Sequence, residues 1–426
     1  MQIIENLKIK EKLYIEKLDN GLTVMILPRN NIQKKYVMWG VNFGSIDNHF
    51  VNPDNNQEIK IPDGVAHFLE HKMFEQKSGI NSLDKLSSLG VDANAYTTND
   101  YTTYLFECND NFYEALDELM DYVQNPYYTD ENVEKEKGII AQEIKMYEDH
   151  PFWQVYLNAL KCLYKENPVR IDIAGDVESI NKINKEVLYD CYNTFYTPAN
   201  MLMILCGDFN PKELIEEVKK RIIKNENKGI IKRIYPQESE EINKKQEIIA
   251  MDVNNPLYVI GFKDEVEENK IEQVKKHIAI EILLYMLIGK SSNLYKKLYN
   301  EGLIISQPDL DYEFSKQYAH ITISGQSNNP EKVAQYLIEE IKKVKENGID
   351  EQQFKRVKKK ILGDYITEYN DIGSIARMIM SDYFKGINSF EYIENHKQVT
   401  KSYTEKILQE VFDESKMIIS IVKGKL

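Results

Sequence analysis

Cysteine is scarce in this chain of 426 residues, with only Cys108, Cys162, Cys191 and Cys206 present. None falls in a C-x-x-C spacing, so they are poor candidates for a structural zinc site. Each sits among apolar or aromatic neighbours, as small buried residues of a reducing compartment do. Basic charge is not in excess either. Lys and Arg number 54 against 68 Asp and Glu, a net charge of −14. That balance disfavours nucleic acid and anionic membranes as partners. No run of about 18 apolar residues occurs, so no membrane-spanning helix is expected. The first residues, MQIIENLKIKEKLYIEKL, lack the apolar core of a secretion signal. These absences predict a soluble, cytoplasmic protein. The 42% hydrophobic content supports full-sized cores, and the length predicts two domains or one fold duplicated.

What is present is concentrated in five residues, His67-Phe68-Leu69-Glu70-His71. On a helix, histidines four apart project from one side, one turn above the other. Glu70 falls beside them. Two imidazoles and a carboxylate are the parts needed to hold a zinc ion and deprotonate a water on it, and the order H-x-x-E-H is the inverzincin signature. Pro62 and Asp63 predict the helix start, with Asp63 as N-cap. Glu70, Phe74, His67 and His71 share an arc of about 100°. Val65, Leu69 and Met73 occupy much of the opposite, packing side. Lys72 falls among the packing residues, and fits there only if its ammonium reaches solvent past an apolar stem. Two structural histidines on an amphipathic helix would give the same pattern, so the context must decide.

Residues 130–149 predict a second helix, capped by Asp130, with Val133, Ile140, Ile144 and Tyr147 as its apolar face. Glu136 and Glu143, seven apart, share the shoulder of that face. A carboxylate turned toward a core needs a partner, and a divalent cation is one; solvation of both glutamates is the alternative. Between the helices, residues 89–104 predict a strand, a turn at Asn99-Asp100 and a returning strand. A free strand edge can hold an extended peptide through main-chain bonds.

Three ordered blocks, HFLEHKMFE at 67–75, DANAYTTNDYTTY at 92–104 and EKEKGIIAQEI at 134–144, resemble the M16 metallopeptidases. This is the pitrilysin and insulinase family, with the mitochondrial processing peptidases; the stretch IPDGVAHFLEHKMFE is similar to its bacterial YmfH-type branch. The resemblance implies one Zn2+ per chain, held by His67, His71 and Glu143. It implies Glu70 as the general base that activates the metal-bound water, and Glu136 as a carboxylate that orients a ligand. Asn94 and Ala95 would hold substrate backbone, and Phe74 would shape the pocket. The activity implied is that of a zinc-dependent endopeptidase acting on peptides or unfolded protein segments.

The implied fold is α+β: two homologous M16-type α/β domains, each a mostly antiparallel sheet packed with helices, forming a clam-like half-chamber. The expected division is a catalytic domain at 1–225, a polar linker at 226–246 and an inactive repeat at 247–426. Both halves read alike, with strands, a helix, a strand pair, helices and a closing strand (201–206 and 417–422). The second half has no H-x-x-E-H, and His277, His320 and His396, like His49 and His150, are read as structural or exposed. Family members often carry an arginine and a tyrosine in the second half that contact substrate. Here Tyr299 stands at the arginine position and Ile304 or Ile305 at the tyrosine position. Neither replaces a forked cation at a developing oxyanion. The expectation is a heterodimer with an M16-like partner subunit that supplies these groups, or a homodimer using Lys296, Lys297 or Tyr312. The alternative function is a non-catalytic M16-like assembly or maturation factor, for example one linked to elongation factor P modification.

Overall fold

The computed structural model describes residues 1–223 and 229–425. Residues 226–228 of the expected linker, 224–225 at the end of the expected first domain and 426 at the chain's end lie outside the described residues. The chain forms two compact units. The first gathers Met1–Ile144, Asp172–Tyr235 and Glu368–Phe384. The second gathers Lys145–Ile171, Pro236–Thr367 and Lys385–Leu426.

Strands β1 (Gln2–Asn6), β2 (Glu11–Lys17), β3 (Thr23–Pro28) and β4 (Lys35–Val41) open the first unit. After a small ribbon of β5 (His49–Val51) and β6 (Glu58–Lys60) come β7 (Asp92–Thr97), β8 (Thr102–Cys108) and β9 (Met201–Gly207). Apart from the ribbon, they make one sheet in the order β1-β2-β3-β9-β4-β8-β7. Only β3 and β9 run parallel. β9, MLMILCG, is buried at every residue, as an apolar strand covered on both faces must be. β7 and β8 are the predicted hairpin, closed where the Thr98 N–H donates to the Tyr101 carbonyl at 2.8 Å. β7 is one edge of the sheet, and β1 is the other.

Five strands build the second unit: β10 (Gln246–Met251), β11 (Leu257–Asp264), β12 (Asp309–Phe314), β13 (Ala319–Gln326) and β14 (Met417–Gly424). Their order, β10-β14-β11-β13-β12, repeats β3-β9-β4-β8-β7 strand for strand. Again only the first pair is parallel. The register repeats too. Gly40 of β4 lies opposite Leu202, the second residue of β9, and opposite Thr103. Gly261 of β11 lies opposite Ile418, the second residue of β14, and opposite Thr322. The structure thus has two sheet-and-helix halves of one plan, as expected.

Five helices follow in the first stretch of chain: α1 (Val65–Met73), α2 (Ser82–Ser88), α3 (Phe112–Gln124), α4 (Asp130–Glu148) and α5 (Pro151–Leu163). The predicted packing side of α1 is correct. Val65, Leu69 and Met73 are buried in a core with Phe68, Val37 and Phe106. Each glycine of the repeated register admits a helix from the other half of the sequence. A Cβ on Gly40 would run into the Met380 sulfur of the helix Ile372–Lys385. A Cβ on Gly261 would lie 3.2 Å from Leu163 of α5 and 3.1 Å from Ile418. All four cysteines are buried and free. Among the described residues, no helix is long and apolar enough to cross a membrane.

Candidate metal centre

α1 begins differently from the expectation. Its N-cap is Gly64, at φ 88°, with no side-chain cap bond. A Cβ there would collide with the Ala174 carbonyl, so only glycine admits that close approach. Asp63 does not cap; its Oδ1 accepts from the Asn48 amide at 3.0 Å. The start of α1 is thus one residue later than predicted, and the cap of α4 is one residue earlier. Asn132 N–H donates to the Thr129 hydroxyl at 3.1 Å, and Thr129 N–H donates back to Asn132 Oδ1 at 2.9 Å. Asp130 pairs instead with Lys185 at 2.6 Å.

α1 lies against β7 and β8. It presents His67 and His71 with their rings 4.6 Å apart, centroid to centroid. Glu143 of α4 faces both. Its Oε1 is 3.7 Å from His67 Nε2, and its Oε2 is 3.5 Å from His71 Nε2. One ligand atom from each of the three residues lies within 4.8 Å of the others, the only such group of three among the described residues. Two donors about 2.1 Å from a common ion at the tetrahedral angle sit about 3.4 Å apart. The donor set and its spacing therefore fit a zinc ion. Burial, aided by the neighbouring His71, pulls the His67 pKa down to about 3, so this imidazole is neutral, as a ligand must be. Its Nδ1 is buried without a hydrogen-bond partner.

Glu136, a turn or two before Glu143, stands behind His71, its Oε1 3.1 Å from Nδ1. Burial opposes the ionised form of Glu136, but the His71 bond and the Lys72 charge outweigh it and hold its pKa below the usual value. Burial likewise works against charged His71, yet the Glu136 bond and the carboxylates of Glu70, Glu136 and Glu143 leave its pKa raised. Glu70 is 7% exposed and accepts from the Thr97 hydroxyl at 2.6 Å. Burial raises its pKa, against the Thr97 bond and His71, making it a stronger base than a solvated glutamate.

The remaining expected site residues are spread further out. Asn94 and Ala95 lie on the edge strand β7, where the Ala95 N–H donates to Asn94 Oδ1 at 2.9 Å. Phe74 is buried edge-on against Tyr104 and tilted against Tyr122, within the core. Lys72 does not reach solvent as expected: it is fully buried, and its ammonium meets Glu75 and Glu136. Thr97 was not anticipated. It lies within the 92–104 block, but only the pairing of β7 with β8 beside α1 turns its hydroxyl to Glu70.

In the second unit, Tyr299 is 53% exposed, Lys297 lies over the Tyr336 ring at 3.4 Å, and the buried Tyr312 donates to Asp264 at 2.8 Å. The other histidines have structural partners. His320 contacts the Tyr164 hydroxyl at 2.9 Å, His396 the Lys358 carbonyl at 2.7 Å and His277 the Tyr392 hydroxyl at 2.9 Å. His49 pairs with Glu58, and His150 caps α5.

Residues 55–177 match the model of Insulinase (Peptidase family M16), and residues 182–361 that of Peptidase M16 inactive domain. The chain is 36% identical to a Bacillus subtilis protein named "Uncharacterized zinc protease YmfH", over 99% of both chains. It is 27% identical to a mitochondrial-processing peptidase subunit beta of Arabidopsis thaliana, over 49% of this chain and 38% of that one. The crystal structure of an M16-like peptidase from Alicyclobacillus acidocaldarius superposes with a TM-score of 0.93 at 32% identity, covering 99% of this chain and all of the other. Two family models matched in order and a full-length relative above 30% identity establish that the chain belongs to the M16 peptidase family.

Proposed function

We propose that this chain is a zinc-dependent endopeptidase that hydrolyses peptides or unfolded protein segments. The observation that carries the reading is the convergence of His67, His71 and Glu143 on one point, with a buried, basic Glu70 beside them. Zinc held by these three residues would supply a Lewis acid for the scissile carbonyl and lower the pKa of water. Glu70 takes the proton of the attacking water and delivers it to the departing amine. The Thr97 hydroxyl holds the Glu70 carboxyl in place for both transfers. His67, neutral and buried, needs no deprotonation before it binds a cation. The main chain of β7, at Asn94 and Ala95, takes the substrate as an added strand. Glu136 orients His71 through Nδ1.

The chemistry belongs to the N-terminal half, and 247–426 acts as the inactive repeat. Tyr299 offers no guanidinium, and some relatives are named as subunits of processing peptidases. We therefore place the chain as the catalytic subunit of a heterodimer with an M16-like partner, with a homodimer as the simpler arrangement. Four buried free thiols suit a cytoplasmic setting.

The test is hydrolysis of a quenched fluorescent peptide by the purified chain, alone and with its M16-like partner, before and after chelation. Activity that chelation removes and zinc restores is expected. Bound zinc without hydrolysis in either preparation would favour the non-catalytic assembly or maturation factor.

A further inference from the structure

Lys72 is among the largest fully buried side chains of the protein, with 0% of its surface exposed. Its helix neighbours Phe68, Leu69 and Met73 are core residues. An ammonium in such a place is costly unless paired and hydrogen-bonded. Two carboxylates pair with it. Glu75, three residues on and just past the end of α1, meets it directly, and Glu136 Oε2 lies 3.6 Å away. The second oxygen of Glu136 is the one on His71 Nδ1, at 3.1 Å. A continuous chain therefore runs Glu75–Lys72–Glu136–His71–Glu143. Among the described residues nothing comparable stands behind His67, whose Nδ1 is buried without a hydrogen-bond partner. The two imidazoles are held in different ways, one by burial alone and one by a charged relay that starts on the packing side of its own helix.

We propose that Lys72 is a positioning residue for the metal centre. By occupying Glu136 Oε2 it keeps Oε1 on His71 Nδ1–H, which fixes the His71 tautomer with the Nε2 lone pair toward Glu143. The inference rests on the reading of His67, His71 and Glu143 as a zinc site, and adds to it a group that touches neither metal nor substrate. A lysine serves here because it is a point charge on a flexible stem that can thread between core side chains. Glu75, at the surface end, completes the neutralisation that a buried cation requires.

The experiment measures zinc affinity by chelator competition, using zinc alone as the probe, with the melting temperature of each metal-free variant recorded in parallel. Lys72→Met, similar in length and apolar, is expected to weaken zinc about tenfold, and Glu136→Gln about 10–100-fold, the range for groups that orient a metal ligand. Because Lys72 acts through Glu136, the double variant should bind no more weakly than Glu136→Gln alone. A purely structural role would instead lower the melting temperature and add to the effect of Glu136→Gln. Nitrogen NMR of the metal-free protein, at a pH where His71 is neutral, gives a second readout: His71 should hold one tautomer in the wild type and a mixture in Lys72→Met. Should Lys72→Met not fold, Lys72→Gln decides, with affinity lowered several-fold expected. Wild-type zinc affinity in the folded Lys72 variant, or additive losses in the double variant, would overturn the proposal while leaving the zinc site standing. His67→Ala separates the two ideas: if that change also leaves zinc binding intact, the zinc site itself is wrong, and the Lys72 proposal falls with it.

Discussion

The two units share five strands in one order and one register, and differ in what the helix under the edge strand carries. In the first, α1 lies against β7 and turns His67 and His71 toward a carboxylate from α4. In the second, the helix Lys270–Leu287 lies against β12 and carries Gln273 and His277 there. Those side chains bond inward, Gln273 to the Tyr312 hydroxyl at 3.2 Å and His277 to that of Tyr392 at 2.9 Å. The comparison teaches that the scaffold depends on positions both units keep, such as Gly40 and Gly261. The chemistry depends on a few side chains that the scaffold does not dictate. A helix that hands its polar groups to tyrosines has become structure, whereas one that leaves two ring nitrogens facing a carboxylate can hold a metal.

The predictions probe that contrast from the largest effect downward. Glu70→Gln should cost about 10²–10⁴ in turnover while zinc content by elemental analysis stays at one per chain. His67→Ala and Glu143→Ala should lose activity and zinc together. Normal turnover in Glu70→Gln would show that the base has been misassigned. Thr97→Val removes the hydroxyl that donates to Glu70 and should lower kcat about tenfold, in line with about 1.5–3 kcal/mol for a hydrogen bond to a charged group. An unchanged kcat would mean that the bond plays no part in positioning the base.

On the scaffold side, Gly40→Ala and Gly261→Ala should each destabilise by about 1–3 kcal/mol, the cost of overpacking, measured by denaturant titration. Gly40→Ala should be the worse, because its Cβ meets Met380 more closely than that of Gly261 meets Leu163. Equal stability of wild type and both variants would break the register argument. The smallest effect concerns pH. His320 is fully buried, and burial lowers its pKa below 6.5 against the pull of Glu313. As pH falls below about 6.5, the unfolded chain takes up the proton first, so this residue's contribution is full above that pH and is lost on acidification. His320→Gln should show a shallower loss of stability between pH 7.5 and 5 than wild type.

The site was legible to the extent that it is local. Spacing alone placed His67, Glu70 and His71 on one side of α1, and Glu136 with Glu143 on one side of α4. Which glutamate meets the Nε2 atoms depends on how α4 lies across α1, and periodicity carries no such information. Both helix starts were misread by one residue for local reasons of geometry. The close approach of the Ala174 carbonyl demands Gly64, and Asn132 completes a reciprocal cap with Thr129. Lys72 fits the packing side by sequence only if its ammonium reaches solvent, and the structure buries it instead. One of its two partners, Glu75, is three residues away, but the other, Glu136, is 64 positions away. The strands of the two sheets were legible from their apolar runs and turns, β1 excepted, and the short ribbon of β5 and β6 was not. The exchange of α5 and the helix Ile372–Lys385 between sheets was not, because an amphipathic pattern shows that a helix has a partner face without naming it.

The central claim is that two imidazoles of one helix and a carboxylate of another share one cation. Anomalous diffraction at the zinc edge from crystals of the zinc-loaded protein tests it directly. The account predicts one strong peak about 2.0–2.2 Å from a ring nitrogen of His67, a ring nitrogen of His71 and a carboxylate oxygen of Glu143. A peak elsewhere, or one that Glu143 does not reach, would contradict it.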